Sequence, residues 1–290
     1  MVEFCGLRLA HRVINGSGTF DALAARRCFG DDLIRSFPFA AFVSKTITLA
    51  PREGNPPPRL WETPAGMINS IGLPNRGLAG YLERDLPELM GLGVPVITNV
   101  MGSTIEEFAE LAGALAGEPG VAAIELNVSC PNVRTGLDIG ADPRELGALV
   151  ERVRPVFPRP VIVKLTPNTA DVGAAAVAAE AAGADAVSLI NTLRAMGIDP
   201  RGGRPWLGGR FGGLSGPAIR AVALAQVAAV AGRIEIPIVG MGGVSRGRDA
   251  ADFLAAGATL VAVGTESFRD PAAGARIARE LTEISSQNAG

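Results

Sequence analysis

Short runs of valine, isoleucine and alanine recur along the chain, each closing on a polar residue or a glycine. Between them lie longer stretches in which apolar side chains return every three to four positions. The runs at 12–16, 41–46, 94–99, 121–127, 160–165, 184–190, 236–240 and 259–264 are nearly continuous in apolar character, as strands covered on both faces are. Residues 104–117, 142–154, 169–182, 217–231, 247–256 and 271–284 carry the helical period; in ADPRELGALVERV, Asp142 stands at the cap and Pro143 in the first turn. Eight strands alternating with helices predict an α/β fold, a (β/α)8 TIM barrel that takes residues 1–290 as one domain, with an open doubly wound sheet as the alternative. Residues 47–93 break the rhythm. Rich in proline, glycine and asparagine, they predict a long insertion after strand 2, and such insertions usually carry function.

Composition narrows the chemistry. With 290 residues, 48% of them hydrophobic, the chain can bury a large core, and its net charge of −2 gives no basic surface for nucleic acid. The Ala-rich stretch 172–190 is broken by Glu180 and Asp185, so no membrane span is expected, and the first residues lack the apolar core of a secretory leader. A cytoplasmic location is therefore expected. Cys5, Cys28 and Cys130 are the only cysteines and show no CxxC spacing, which argues against a disulfide framework, zinc or an iron–sulfur cluster in this chain. His11 is the single histidine, so a general base has to come from a carboxylate, a lysine or a thiol.

In a barrel of this kind the chemistry gathers at the carboxyl ends of the strands. Read in order, those ends are Ser17, Lys45–Thr46, Asn99, Asn127, Lys164, Asn191–Thr192, Gly242–Gly243 and Gly264–Thr265. Amides donate and accept, lysines supply point charges, and acids are scarce; together they suit a flat, polar, anionic heterocycle. GMGGVSRGRDA and AVGTESF follow the last two strands, where glycine turns entering helices can hold phosphate on main-chain N–H groups. No GxGxxG lies on a βαβ unit, so no Rossmann nicotinamide site is expected. In the insertion, Asn69, Ser70, Ile71, Gly72 and Leu73 alternate apolar and polar groups and are read as facing substrate. In LNVSCPN the strand ends beside Cys130, a thiol flanked by amides and made rigid by Pro131. A free cysteine is more often buried and inert, yet this one follows an amide-rich strand end. Cys5 and Cys28 stand in ordinary contexts and are read as structural.

Taken together, SKTITLAPREGNPPPRLWETPAGMINSIGLPN, ELNVSCPN, VKLTPN, SLINTLRAMGID, GGLSGPAI, GMGGVS and AVGT resemble dihydroorotate dehydrogenases over essentially the whole chain. The insertion is most similar to the catalytic subunit of the NAD-linked class 1B, and a thiol rather than a serine at Cys130 sets the chain apart from the membrane-bound class. The resemblance implies oxidation of (S)-dihydroorotate to orotate in de novo pyrimidine (UMP) biosynthesis, with one FMN at the barrel mouth. FMN would be contacted by Ser17, Lys45, Thr46, Asn99, Asn127, Lys164, Ile190, Gly216, Gly242, Gly243, Gly264 and Thr265. Substrate would be held by Lys45, residues 69–73, Asn127, Asn132, Asn191 and Thr192. Cys130 would be the base, assisted by Lys45. The resemblance further implies a homodimer of this chain at the core of a heterotetramer, with FAD and a [2Fe–2S] cluster on a partner subunit that passes electrons to NAD. Alternatives are a fumarate-linked class 1A enzyme, a dihydropyrimidine dehydrogenase-like activity, and a barrel that only binds nucleotide or phosphate.

Overall fold

The computed structural model describes residues 1–128 and 139–287. The eight apolar runs form one parallel sheet whose strands are β1 (Val13–Asn15), β2 (Phe42–Val43), β3 (Val96–Val100), β4 (Val121–Asn127), β5 (Val161–Lys164), β6 (Ala186–Leu189), β7 (Ile238–Met241) and β8 (Leu260–Val263). Hydrogen-bonded neighbours run in chain order from β2 to β8, and β8 returns to β1 with Val261, Ala262 and Val263 opposite Val13, Ile14 and Asn15. This is the (β/α)8 barrel. Between β1 and β2 a side chain closes the seam instead of a ladder. Buried Asn15 donates from Nδ2 to the Val43 carbonyl at 2.8 Å, and its Oδ1 accepts from the Val43 N–H at 2.8 Å.

Side chains alternate across each strand. Ile14, Val43, Ile97, Ala123, Ile162 and Val239 pack inside the barrel, whereas Val13, Phe42, Val96, Ile124, Val163 and Val187 belong to the larger outer layer under the helices. Thr104, Asp142 and Asp171 begin helices Ile105–Ala116, Pro143–Val153 and Val172–Ala181 by accepting a first-turn N–H on their side chains. An N-terminal hairpin, Val2–Phe4 against Leu7–Leu9, places Phe4 and Leu9 in the inner cluster. Its strands are too short for a readable alternation.

The insertion is more ordered than its composition suggests. It holds the hairpin Leu60–Thr63/Gly66–Asn69 and a helical run from Gly77 to Met90. Gly66–Asn69 pairs antiparallel with Gly212–Ser215, which pairs with Leu193–Ala195. Two distant segments thus build a 4-stranded sheet that helps to wall the barrel mouth.

Candidate active site at the barrel mouth

Strand order brings the polar ends to one place. A cavity of about 480 Å³ is lined by Ser17, Lys45, Thr46, Asn127, Lys164, Ile190, Asn191, Thr192, Gly216, Gly242, Gly243, Gly264 and Thr265, with Asn69, Ile71 and Leu73 from the insertion. That volume is in the range of small-molecule sites. Met67, Ile219, Met241 and Phe268 add apolar surface suited to the faces of a flat ring, and Gly16, Gly18, Thr19, Leu60 and Ser215 complete the wall. Cys130 and Asn132 lie outside the described residues.

Ser70, Gly72 and Asn99 stand off this wall. Ser70 Oγ accepts from Asn55 Nδ2 at 2.9 Å, and a Cβ on Gly72 would meet Asn55 N at 2.4 Å. Both positions hold the insertion against Asn55. Asn75 locks the next turn, accepting from Gly77 N–H at 2.8 Å and donating to the Leu73 carbonyl at 2.9 Å. Asn99 is fully buried beneath the site.

The two lysines differ. Lys164 is 6% exposed and makes no hydrogen bond or ion pair with any described residue. A buried ammonium with no partner among the described residues is costly, which makes Lys164 a candidate socket for an electron-rich group. Burial pulls the Lys45 pKa below its ordinary value; nearby Asp21 opposes this and Arg59 adds to it. The hydroxyl of Ser17 already donates to the Ser44 carbonyl at 2.8 Å, and Asn127 Nδ2 reaches Thr46 Oγ1 at 3.3 Å. Asn69 donates to the Gly213 carbonyl at 3.3 Å, and Asn191 Oδ1 takes the Thr192 N–H at 2.8 Å.

On the opposite side the wall is main chain. Gly242 and Gly243 have φ of 135° and 72°, and a Cβ on Gly243 would stand 2.7 Å from the Gly216 carbonyl oxygen. Only glycine suits both the conformation and the space. The structure corrects one expectation here. The N-terminus of helix Gly247–Ala255 is already capped, because Asp249 Oδ2 accepts from the N–H groups of Ser245 and Arg246 at 3.0 and 3.2 Å, and Glu280 accepts from Gly247 N–H at 2.5 Å. The amides left without a partner among the described residues include those of Gly242, Gly243 and Thr265. An anion would therefore bind on the turn before the helix and on its neighbour after β8.

A buried lysine, ring-reading amides, apolar faces and an amide-lined anion end fit a phosphorylated flat cofactor with a small anionic ring beside it. The family model for dihydroorotate dehydrogenase matches residues 1–284. The chain belongs to the dihydroorotate dehydrogenase family. A Desulforudis audaxviator protein is 48% identical over 97% of this chain and 91% of its own length. Relatives from Geobacter sp. strain M21 and Thermoanaerobacter sp. strain X514 are 47% and 46% identical, over 97% and 93% of this chain and 92% and 88% of their own lengths. All three carry the name dihydroorotate dehydrogenase B (NAD(+)), catalytic subunit.

One site feature escaped the sequence reading of this dehydrogenase-family chain. Glu125 lies inside the apolar run of β4, 3% exposed, and accepts from Asn99 Nδ2 at 2.6 Å and from Ser188 Oγ at 2.8 Å. The mouth is poor in acids only at its rim. The signal was a lone glutamate inside an otherwise apolar strand.

Proposed function

We propose that this chain oxidises (S)-dihydroorotate to orotate in pyrimidine biosynthesis, as the catalytic subunit of an NAD-linked class 1B enzyme. The carrying observation is the convergence of Lys45, Asn69, Asn127, Asn191 and Thr192 on a cavity that also holds Lys164, unpaired among the described residues, and the Gly242–Gly243 turn. FMN fits these residues: Gly242, Gly243, Gly264 and Thr265 would hold its phosphate, Lys164 and Asn127 its polar ring edge, and Ile190 and Met241 its faces. When bound, it would supply two-electron acceptance.

The chain's own residues do the rest. Lys45 pairs with the substrate carboxylate while the asparagines read the ring amides. Cys130 takes the C5 proton, a transfer that needs close alignment because carbon acids lose protons slowly. The shared name of the relatives favours the NAD-linked reading over the fumarate-linked one. Electrons would leave through a partner subunit carrying FAD and a [2Fe–2S] cluster, docked on a homodimer of this chain. Among the described residues no helix is long and apolar enough to cross a membrane, and we place the enzyme in the cytoplasm. Anaerobic titration of the flavin-loaded protein with dihydroorotate tests the reading. Bleaching of the flavin by dihydroorotate and not by dihydrouracil is expected. Flavin that stays oxidised with dihydroorotate and bleaches with dihydrouracil would move the activity to dihydropyrimidines.

A further inference from the structure

The two turns that would hold phosphate come from different βα units and are joined in space by one side chain. Arg276, on the C-terminal helix Ala273–Gln287, is partly buried, and all three of its guanidinium nitrogens donate. Nη1 reaches the Ser245 carbonyl at 3.0 Å, in the turn after β7, and Nη2 reaches Glu266 Oε1 at 3.2 Å, in the segment after β8. Nε donates to Asp270 Oδ2 at 3.0 Å, and Nη1 also reaches Glu280 Oε1 at 3.3 Å, one turn along the helix. The other oxygen of Glu280 accepts the Gly247 N–H at 2.5 Å.

These contacts fall directly behind the amides of the cavity wall. Ser245 lies two residues past Gly243, and Glu266 follows Thr265. Gly243 and Thr265 line the cavity, and their N–H groups have no partner among the described residues. On the turn after β7 the grip is two-sided, because Ser245 gives its carbonyl to Arg276 and its N–H to Asp249 Oδ2 at 3.0 Å. A tie within the helix would stop at Glu280; the contacts with Ser245, Glu266 and Asp270 cross to the turns. An anion held on main-chain N–H groups needs both arms at the right spacing before it arrives, since an arm ordered only on binding costs affinity. A guanidinium suits this task, because its planar fork fixes its acceptors relative to one another, which a point-like ammonium does not.

We propose that Arg276 is a positioning residue for the cofactor's phosphate: by bridging the Ser245 carbonyl and Glu266 it holds the Gly242–Gly243 turn and the Thr265 segment at the spacing a phosphate monoester needs. Arg276 does not line the cavity and acts through the two turns alone. The assignment rests on the flavoenzyme reading above.

The test compares the Kd for FMN with that for riboflavin, which lacks the phosphate, by fluorescence quenching on apoprotein prepared from the full chain. Wild type should prefer FMN. In Arg276→Met that preference should fall on the order of tenfold, the scale of one charge-assisted hydrogen bond, while riboflavin affinity changes little. Arg276→Lys keeps a positive charge among the three carboxylates, and with it the fold, but loses the fork, so it should lose part of the preference. Arg279→Met removes a cation from the same helix, where Arg279 pairs with Glu283 at 4.0 Å, and should leave the preference unchanged. A Lys variant with the full wild-type preference would overturn the bridge even if the Met variant failed to fold. Equal losses for the two flavins in either variant would reduce Arg276 to general support of the barrel, and an equal drop in Arg279→Met would replace the bridge by overall charge. A wild type that binds both flavins equally would remove the phosphate from these turns, whereas one that takes up neither would bring down the functional reading itself.

Discussion

From β2 to β6 the barrel mouth presents side chains, whereas at β7 and β8 it presents mostly main chain. Lys45, Asn127, Lys164, Asn191 and Thr192 belong to the first arc; Gly242, Gly243, Gly264 and Thr265 belong to the second. The arcs are suited to different groups. Side-chain amides and ammonium groups distinguish ring edges and carboxylates by donor and acceptor pattern. Main-chain N–H groups in a positive-φ turn recognise little beyond negative charge, but they hold it without long side chains to order. A substitution in the first arc should therefore change which molecule reacts or how fast. One in the second should change whether the cofactor stays.

The largest effect should come from the proposed base, Cys130, which lies outside the described residues. Cys130→Ala should retain FMN and orotate binding while slowing flavin reduction by dihydroorotate by roughly 10²–10⁴-fold, the usual worth of a positioned general base. Stopped-flow reduction under anaerobic conditions measures this directly, and a rate within a few-fold of wild type would remove the thiol from the mechanism. Next is Lys45→Met, which should raise the KM for dihydroorotate on the order of 30-fold, about 2 kcal/mol for a charge-assisted hydrogen bond. Retention of FMN in that variant would keep Lys45 with the substrate rather than the cofactor.

The main-chain arc breaks differently. In Gly243→Ala the added Cβ meets the Gly216 carbonyl oxygen at 2.7 Å in a turn with φ of 72°. A positive-φ alanine costs about 1–2 kcal/mol, so FMN affinity should fall on the order of tenfold. Riboflavin, which has no phosphate, should lose less. Equal losses for the two flavins, followed by fluorescence quenching, would show that the turn supports the barrel and not the phosphate.

The same contrast explains what could be read from sequence. All eight barrel strands were legible because strands covered on both faces are apolar throughout, and their ends were legible because each run stops at a polar residue. The small sheet was not. Leu60–Thr63 and Gly66–Asn69 are short and half exposed, and their partner Gly212–Ser215 is remote in sequence, so no local pattern announces the pairing. The Gly77–Met90 helical run was hidden by the glycine- and proline-rich composition around it. Capping of helix Gly247–Ala255 by Asp249 and Glu280 was invisible for a related reason: Glu280 comes from the C-terminal helix Ala273–Gln287, and only the fold shows which amides it occupies. Cys28 illustrates the reverse error. Read as structural, it lies exposed on helix Ala22–Phe29, whereas Cys5 donates to the Asp185 carbonyl at 3.3 Å and burial raises its pKa to about 12.

The smallest effect separates Lys45 from the proposed base Cys130 by pH. Burial lowers the Lys45 pKa from the ordinary 10.5, and only its charged form pairs with a carboxylate. Raising the pH therefore neutralises Lys45 earlier than a surface lysine, so the KM for dihydroorotate should climb by a few-fold on the alkaline side before pH 10.5 is reached. A thiol base behaves oppositely, since its thiolate fraction grows with pH and increases the reduction rate. The two groups should thus divide the profile, Cys130 governing the saturated rate and Lys45 the KM. Lys45→Arg, with a guanidinium that stays charged, should flatten the KM limb and leave the pH dependence of the saturated rate in place. A wild-type KM that stays flat through the alkaline range, measured alongside an ordinary rise in rate, would separate Lys45 from the substrate carboxylate.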